Sequence, residues 1–153
     1  MALSRLTLLR AFIAVMLGLV IASCSSTGLA PGLTARLDHP GASINRADAL
    51  AIVNDYRRGA GLGALVADPS LDAIAQDIAQ QYARNGRQPT KPQGTLDVRY
   101  SAGYPTFAEV FSGWRNSEAD AKMLTLQNAT RAGIGGFYTE NSPYGSYWTL
   151  VLG

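Results

Sequence analysis

The side chains that carry most nucleophilic and metal chemistry are scarce in this chain: one cysteine, Cys24, and one histidine, His39, in 153 residues. A lone cysteine forms no internal disulfide, and one cysteine with one histidine falls short of the four ligands of a structural zinc site. A Ser-His-Asp relay would have to recruit His39, which stands beside Pro40 in a stretch without periodicity, and no Gly-x-Ser-x-Gly turn is present. His39 is therefore expected in a loop, with no catalytic part. Gly59, Gly61 and Gly63 end a helical pattern instead of opening one after a strand, which argues against a dinucleotide-binding loop. Glu109 and Asp120 each read as a first-turn helix residue that complements the helix dipole.

Thirteen Lys and Arg against eleven Asp and Glu give a formal charge of +2. Two of the bases, Arg5 and Arg10, lie in the first 23 residues, which hold no acid, so the remainder balances at eleven of each sign. The apparent basicity belongs to this leader. Arg57-Arg58 beside Asp55 reads as a solvated face, and no nucleic-acid partner is expected.

Residues 1–23 have the form of an export signal, with Arg5 and Arg10 ahead of an apolar run from Ala11 to Ala22 that only Gly18 interrupts. The run is about a dozen residues, short of the roughly 20 that span a bilayer. Val20-Ile21-Ala22-Ser23-Cys24 resembles a bacterial lipoprotein signal, in which small residues let a peptidase grip an extended backbone before a cysteine that becomes lipidated. That resemblance implies a lipid, palmitate among its chains, on Cys24 as the membrane partner. Ser25 after it implies the periplasmic face of the outer membrane. Residues 24–45, with Ser25-Ser26-Thr27-Gly28, Pro31 and Pro40, are expected to be a flexible linker.

The remaining residues, 46–153, contain the elements that must position any site. Ala49, Ile52, Val53, Tyr56 and Ala60 recur at helical spacing behind an Asn45 cap, leaving Asp48, Asn54, Asp55 and Arg58 for water. Asp68-Pro69 opens a second helix with the acid as cap and proline where its missing N–H costs nothing; Leu71, Ile74, Ala75, Ile78 and Tyr82 form its apolar face, and Asn85-Gly86 closes it. Residues 87–95 carry no apolar side chain except their prolines and read as an exposed loop before a short strand, Leu96 to Tyr100. Thr106 and Glu109 have capping-box spacing ahead of Phe107, Val110, Phe111 and Trp114, and Ser117 caps a short helix holding Met123 and Leu124. Ala132 to Thr139 and Tyr147 to Leu152, the latter alternating Trp148, Leu150 and Leu152 against Tyr147, Thr149 and Val151, are expected to pair as a hairpin. The order predicts an α+β domain with helices packed on a small, mainly antiparallel sheet.

Three groups of residues resemble the CAP superfamily of cysteine-rich secretory, antigen 5 and pathogenesis-related proteins, also called the SCP domain. They are Val53 to Arg58 with Gly61-Leu62-Gly63-Ala64-Leu65 and Asp68-Pro69-Ser70-Leu71; Gly113-Trp114-Arg115-Asn116-Ser117; and Ala132-Gly133-Ile134-Gly135 with Tyr147 to Val151. The resemblance implies an α-β-α sandwich, and in many members a cleft of two histidines and two acids that holds a divalent metal. Here the loop Gly86 to Lys91 lacks the first histidine, Val98-Arg99 stand where the family has Glu-Asn, and Asp120 replaces the second histidine. Val98, Arg99, Glu109 and Asp120 are thus the cleft candidates, with no metal, cofactor or catalytic residue expected.

The function implied is that of a lipid-anchored envelope protein whose CAP domain acts as a binding or interaction module. Lipid and peptidoglycan are the ligands the family suggests; the alternative is a cell-wall or peptide hydrolase. Tyr100, Tyr104, Phe107, Trp114, Tyr138, Tyr144, Tyr147 and Trp148 are the aromatic stock for a groove, with Phe107, Trp114 and Trp148 expected in the core and Tyr144 exposed in the hairpin turn.

Overall fold

Capping side chains decide where the three longest helices begin, whereas Ser117, expected to cap a short helix, stands at its N-cap without a side-chain hydrogen bond. The Asn45 side chain accepts the Asp48 N–H at 3.1 Å and opens helix α2 (Arg46–Gly59). Asp68 accepts the N–H groups of Ser70 and Leu71 at 2.8 and 3.4 Å and opens helix α3 (Pro69–Asn85), which Gly86 ends at φ +65° in the left-handed region. Thr106 and Glu109 form the expected reciprocal box at the start of α4 (Phe107–Asn116). The computed structural model describes residues 28–153, and its other elements are α1 (Pro31–Thr34), β1 (Val66–Ala67), β2 (Asp97–Ala102), α5 (Glu118–Leu124), β3 (Arg131–Tyr138) and β4 (Ser146–Leu152). The leader and Cys24 lie outside the described residues. Among those described, no helix is long and apolar enough to cross a membrane.

The four strands lie in the order β1-β3-β4-β2, antiparallel except for the β1–β3 pair. Strand β4 is buried along its whole length, because helices cover both faces of the sheet. Trp148, Leu150 and Leu152 join Val53, Phe107, Val110, Phe111, Trp114 and Leu124 in the larger core, whereas Val151 and Val98 pack with Leu71, Ala75 and Ile78 beneath α3. The alternation in the sequence therefore sorts side chains between two cores, not between core and water. The architecture is the α-β-α arrangement.

Two glycines seat α3 on the sheet. A β-carbon at Gly133 would lie 2.0 Å from the Leu71 carbonyl carbon, and one at Gly135 would lie 2.2 Å from that of Ala75, so any other residue would push the helix away. Beyond Ala132, β1 no longer covers the edge of β3, and side chains satisfy its backbone instead. Asp72 accepts the Ile134 N–H at 2.8 Å, Arg46 donates to the Ile134 carbonyl at 2.8 Å, and Gln76 donates to the Gly136 carbonyl at 2.8 Å.

Three expectations change. The segment expected to be a flexible linker is built into the domain from Ala30 onward: Leu33 and Leu37 are 4% and 1% exposed, and Leu37 N–H donates to the Pro105 carbonyl at 2.7 Å. Two leucines in a short stretch between Pro31 and Pro40 are too few to set a period. Strand β1, only two residues long, is invisible in the sequence for the same reason. Asn54 is not left to water but exchanges two hydrogen bonds with the Leu65 backbone, at 2.8 and 3.0 Å, and so fixes the turn after α2.

Candidate functional site

Strand β2 is an edge strand whose side chains alternate between the two helical layers. Val98, 2% exposed, points under α3. Arg99 points the other way, toward α5: its Nε lies 2.9 Å from Asp120 Oδ1, Nη1 donates to Asp97 Oδ1 at 3.2 Å and to the Val98 carbonyl at 2.9 Å, and Nη2 donates to the Ala119 carbonyl at 3.3 Å. The Nε–H is not aligned with the Asp120 oxygen, so that contact is electrostatic and not a hydrogen bond. With 24% and 30% of the two side chains exposed, the pair is half-sheltered and ties the first turn of α5 to the sheet.

Glu109 is committed elsewhere. Its Oε2 accepts the Thr106 N–H at 3.1 Å and the Thr106 hydroxyl at 2.9 Å, both at the start of α4. Of the four candidates, the fold brings Arg99 and Asp120 together, sends Val98 to the opposite face of the sheet and leaves Glu109 as a helix cap. His39 is exposed, its ring nitrogen 3.1 Å from the Pro40 carbonyl.

The aromatic side chains divide as their sequence positions suggest. Phe107, Trp114 and Trp148 are buried together, with Phe107 edge-on to Trp114. Tyr100, Tyr82, Tyr147 and Tyr144 follow one another edge to face at centroid distances of 6.1, 4.9 and 6.3 Å, a packed series in which Tyr144 alone is largely exposed, at 56%. Burial holds the Tyr100 phenol above its usual pKa, and its hydroxyl donates to the Pro89 carbonyl at 2.7 Å. Two hollows flank the sheet edge. One, of about 530 Å³, lies beside the ion pair and is lined by Asp97, Arg99, Glu118, Lys122 and Met123 among others; the second, of about 620 Å³, runs between α3 and the loop after it.

The most consequential residue that the sequence misplaced is Arg57. Read as half of a solvated basic pair, it is 1% exposed, and its guanidinium donates to the carbonyls of Gly63, Leu124, Leu126 and Ala129 at 2.9 to 3.2 Å. A signal was present: Arg57 follows Ala49 and Val53 at steps of four, on the buried face of α2. Arg58, next to it, is the solvated one, paired with Asp55 at 2.9 Å.

The model of the cysteine-rich secretory protein family, CAP, matches residues 50–152. The chain belongs to the CAP family. Solved structures agree on the fold. An outer surface protein from Borrelia burgdorferi superposes with a TM-score of 0.54 at 18% identity, over 68% of this chain and 87% of that one. An extracellular protein containing a SCP domain from Bacillus anthracis gives 0.58 at 19%, over 70% of this chain and 39% of that one. A cysteine-rich secretory protein from Staphylococcus aureus gives 0.51 at 14%, over 71% and 38%. No curated protein matches the chain.

A divalent metal needs converging nitrogen and oxygen donors, and among the described residues no three His, Cys, Asp or Glu side chains converge. Of the residues that the sequence resemblance proposes for the cleft, Val98 offers no donor and Asp120 faces a guanidinium that a metal would have to displace. These residues do not fit the family's metal.

Proposed function

We propose that this chain is an envelope lipoprotein, held to the membrane by lipid on Cys24, whose CAP domain binds a partner and catalyses no reaction. The observation that carries the reading is the Arg99 guanidinium against Asp120, at 2.9 Å. An internal cation at that carboxylate supplies neither a metal site nor a free general base, because the charge it neutralises is the one either role needs. Glu109, the other acid among the cleft candidates, spends its carboxylate on the Thr106 cap. Lipid or a peptidoglycan component is the ligand class that the family likeness supports. The Borrelia relative is an outer surface protein and the Bacillus relative an extracellular one, which supports a place outside the cytoplasm, and Ser25 supports the outer membrane.

The test has two arms. In detergent phase separation of cell extracts, the wild-type chain is expected in the detergent phase and Cys24→Ser in the aqueous phase; a detergent-phase Cys24→Ser protein overturns the anchor. The purified protein is expected to leave peptidoglycan and casein intact and to bind zinc no tighter than micromolar by calorimetry. Hydrolysis abolished by Asp120→Asn or Glu109→Gln, or submicromolar zinc, overturns the non-catalytic reading.

A further inference from the structure

The loop 87–95 is more ordered than its composition requires. It brings little to the core, yet side chains pin its backbone along its length. The Tyr100 hydroxyl donates to the Pro89 carbonyl at 2.7 Å, the Thr95 hydroxyl donates to the Pro92 carbonyl at 2.8 Å, and Lys91 Nζ donates to the carbonyls of Thr95 and Leu96 at 3.0 and 3.1 Å. Two prolines stiffen it further, at Pro89 and Pro92. Ordering a chain segment costs conformational entropy, which a loop with so few apolar contacts does not regain from core burial. Fixed surface loops of this kind are where binding sites are commonly built.

The course of this loop makes a groove. Gly86 turns the chain back, and the loop then runs antiparallel to α3 until the Leu96 N–H meets the Leu152 carbonyl at 2.8 Å, near the start of that helix. Between the two segments lies the cavity of about 620 Å³. Its polar lining has a definite arrangement. Asp77, Gln81 and Asn85 recur every four residues along α3, with Gln81 Nε2 donating to Asp77 Oδ2 at 2.6 Å, so one carboxylate oxygen of Asp77 stays open. Arg87 and Gln88 close the other end, and Arg87 has no ion-pair or hydrogen-bond partner among the described residues. The groove therefore carries a negative charge at one end, a positive charge at the other, and carboxamides between.

The geometry points to a binding site for a short, extended peptide with free ends, its amino group at Asp77 and its carboxylate at Arg87. This inference rests on the reading of the domain as a non-catalytic binding module, and names its ligand. Asp77 and Asn85 are separated by about 12 Å along the helix, at 1.5 Å per residue. An extended peptide advances about 3.4 Å per residue, so three to four residues span that length. Each carboxamide offers a donor and an acceptor, the pair that a peptide unit requires. Arginine suits the carboxylate end because its planar fork can hold both oxygens. The groove lining includes no aromatic ring on which a sugar could stack, which sets the peptide above a glycan.

Calorimetry on the detergent-solubilised full chain tests this with tetra-alanine as the probe. Saturable binding is expected, weakened at least tenfold by amidating the peptide's carboxylate or by Arg87→Gln, and at least fivefold by acetylating its amine or by Asp77→Asn. Both substituted side chains are exposed, so thermal unfolding of the two variants should match wild type. Absence of binding at millimolar peptide, equal affinity for the doubly blocked peptide, or tighter binding of an N-acetylglucosamine tetramer overturns the site. Mass spectra of the incubated peptide separate the two readings: intact peptide without binding removes the groove alone, whereas cleaved peptide removes the non-catalytic reading.

Discussion

At the scale of single residues, two arginines sit in contrasting electrostatic settings. Arg99 faces carboxylates at a half-exposed edge, where solvent screens the pair and the gain is small. A double-mutant cycle of Arg99→Gln and Asp120→Asn is expected to give a coupling of about 0.5–1 kcal/mol in urea unfolding. Arg57 is buried and faces carbonyl oxygens alone; burial lowers its pKa below the ordinary guanidinium value, yet arginine keeps its proton. Its four hydrogen bonds join the turn after α2 to the end of α5 and the chain leading to β3. Arg57→Met leaves those carbonyls without a partner and is expected to cost about 3–5 kcal/mol, several times the Arg99 coupling. Arg57→Lys should recover only a small part, since one ammonium cannot reach all four acceptors. Equal losses for Arg57→Met and Arg99→Gln would refute this ranking. The step of four from Val53 to Arg57 was legible in the sequence, but its meaning was not: spacing places a side chain on a face without saying which carbonyls wait there.

At the scale of elements, caps and glycines carry most of the information. Asn45, Asp68-Pro69, Gly86 and Thr106 with Glu109 each mark a helix end in the sequence, and the structure places the ends there because orphan backbone groups take the nearest side-chain partner. Gly133 and Gly135 read as strand residues of weak propensity; only the packed structure explains them, as the seat of α3. Gly133→Ala places a methyl 2.0 Å from helix backbone, which cannot yield as a side-chain tip would. The expected loss is at least roughly 3 kcal/mol by chemical denaturation, against about 1 kcal/mol for removing the α4 cap with Thr106→Ala. A Gly133→Ala protein of wild-type stability would show that α3 can shift without cost. The same logic covers Gln76, whose amide stands in for a missing neighbour strand at Gly136.

At the scale of the whole molecule, the domain is longer than its periodic segments. The family model begins at residue 50, yet Leu33 and Leu37 lie in the main core, and α1 packs ahead of α2. Burying a leucine contributes about 1.5–3 kcal/mol, so a chain starting at Asn45 is expected to be less stable than one starting at Gly28 by at least roughly 3 kcal/mol. Comparing their thermal midpoints checks this; equal midpoints would mean that the segment is a passive linker after all. Were Cys24 lipidated as proposed, Ser25 to Leu29 would separate the lipid from the folded residues that begin at Ala30. Even fully extended, five residues reach roughly 18 Å, which would keep the domain close to its membrane.

By itself, the sequence determined the class of the fold, the boundaries of the longer helices and the sorting of aromatic residues, because caps, periodicity and family motifs are local or ordered along the chain. Residue identity also set the expectation that the family's metal ligands are replaced. Tertiary structure alone decided that Val98 and Arg99 part to opposite faces, that Asp120 is neutralised, that Arg57 is buried and that a polar loop lies back along α3 to form a groove. Each of these depends on contacts between residues far apart in the chain, and such contacts leave no spacing rule in the sequence.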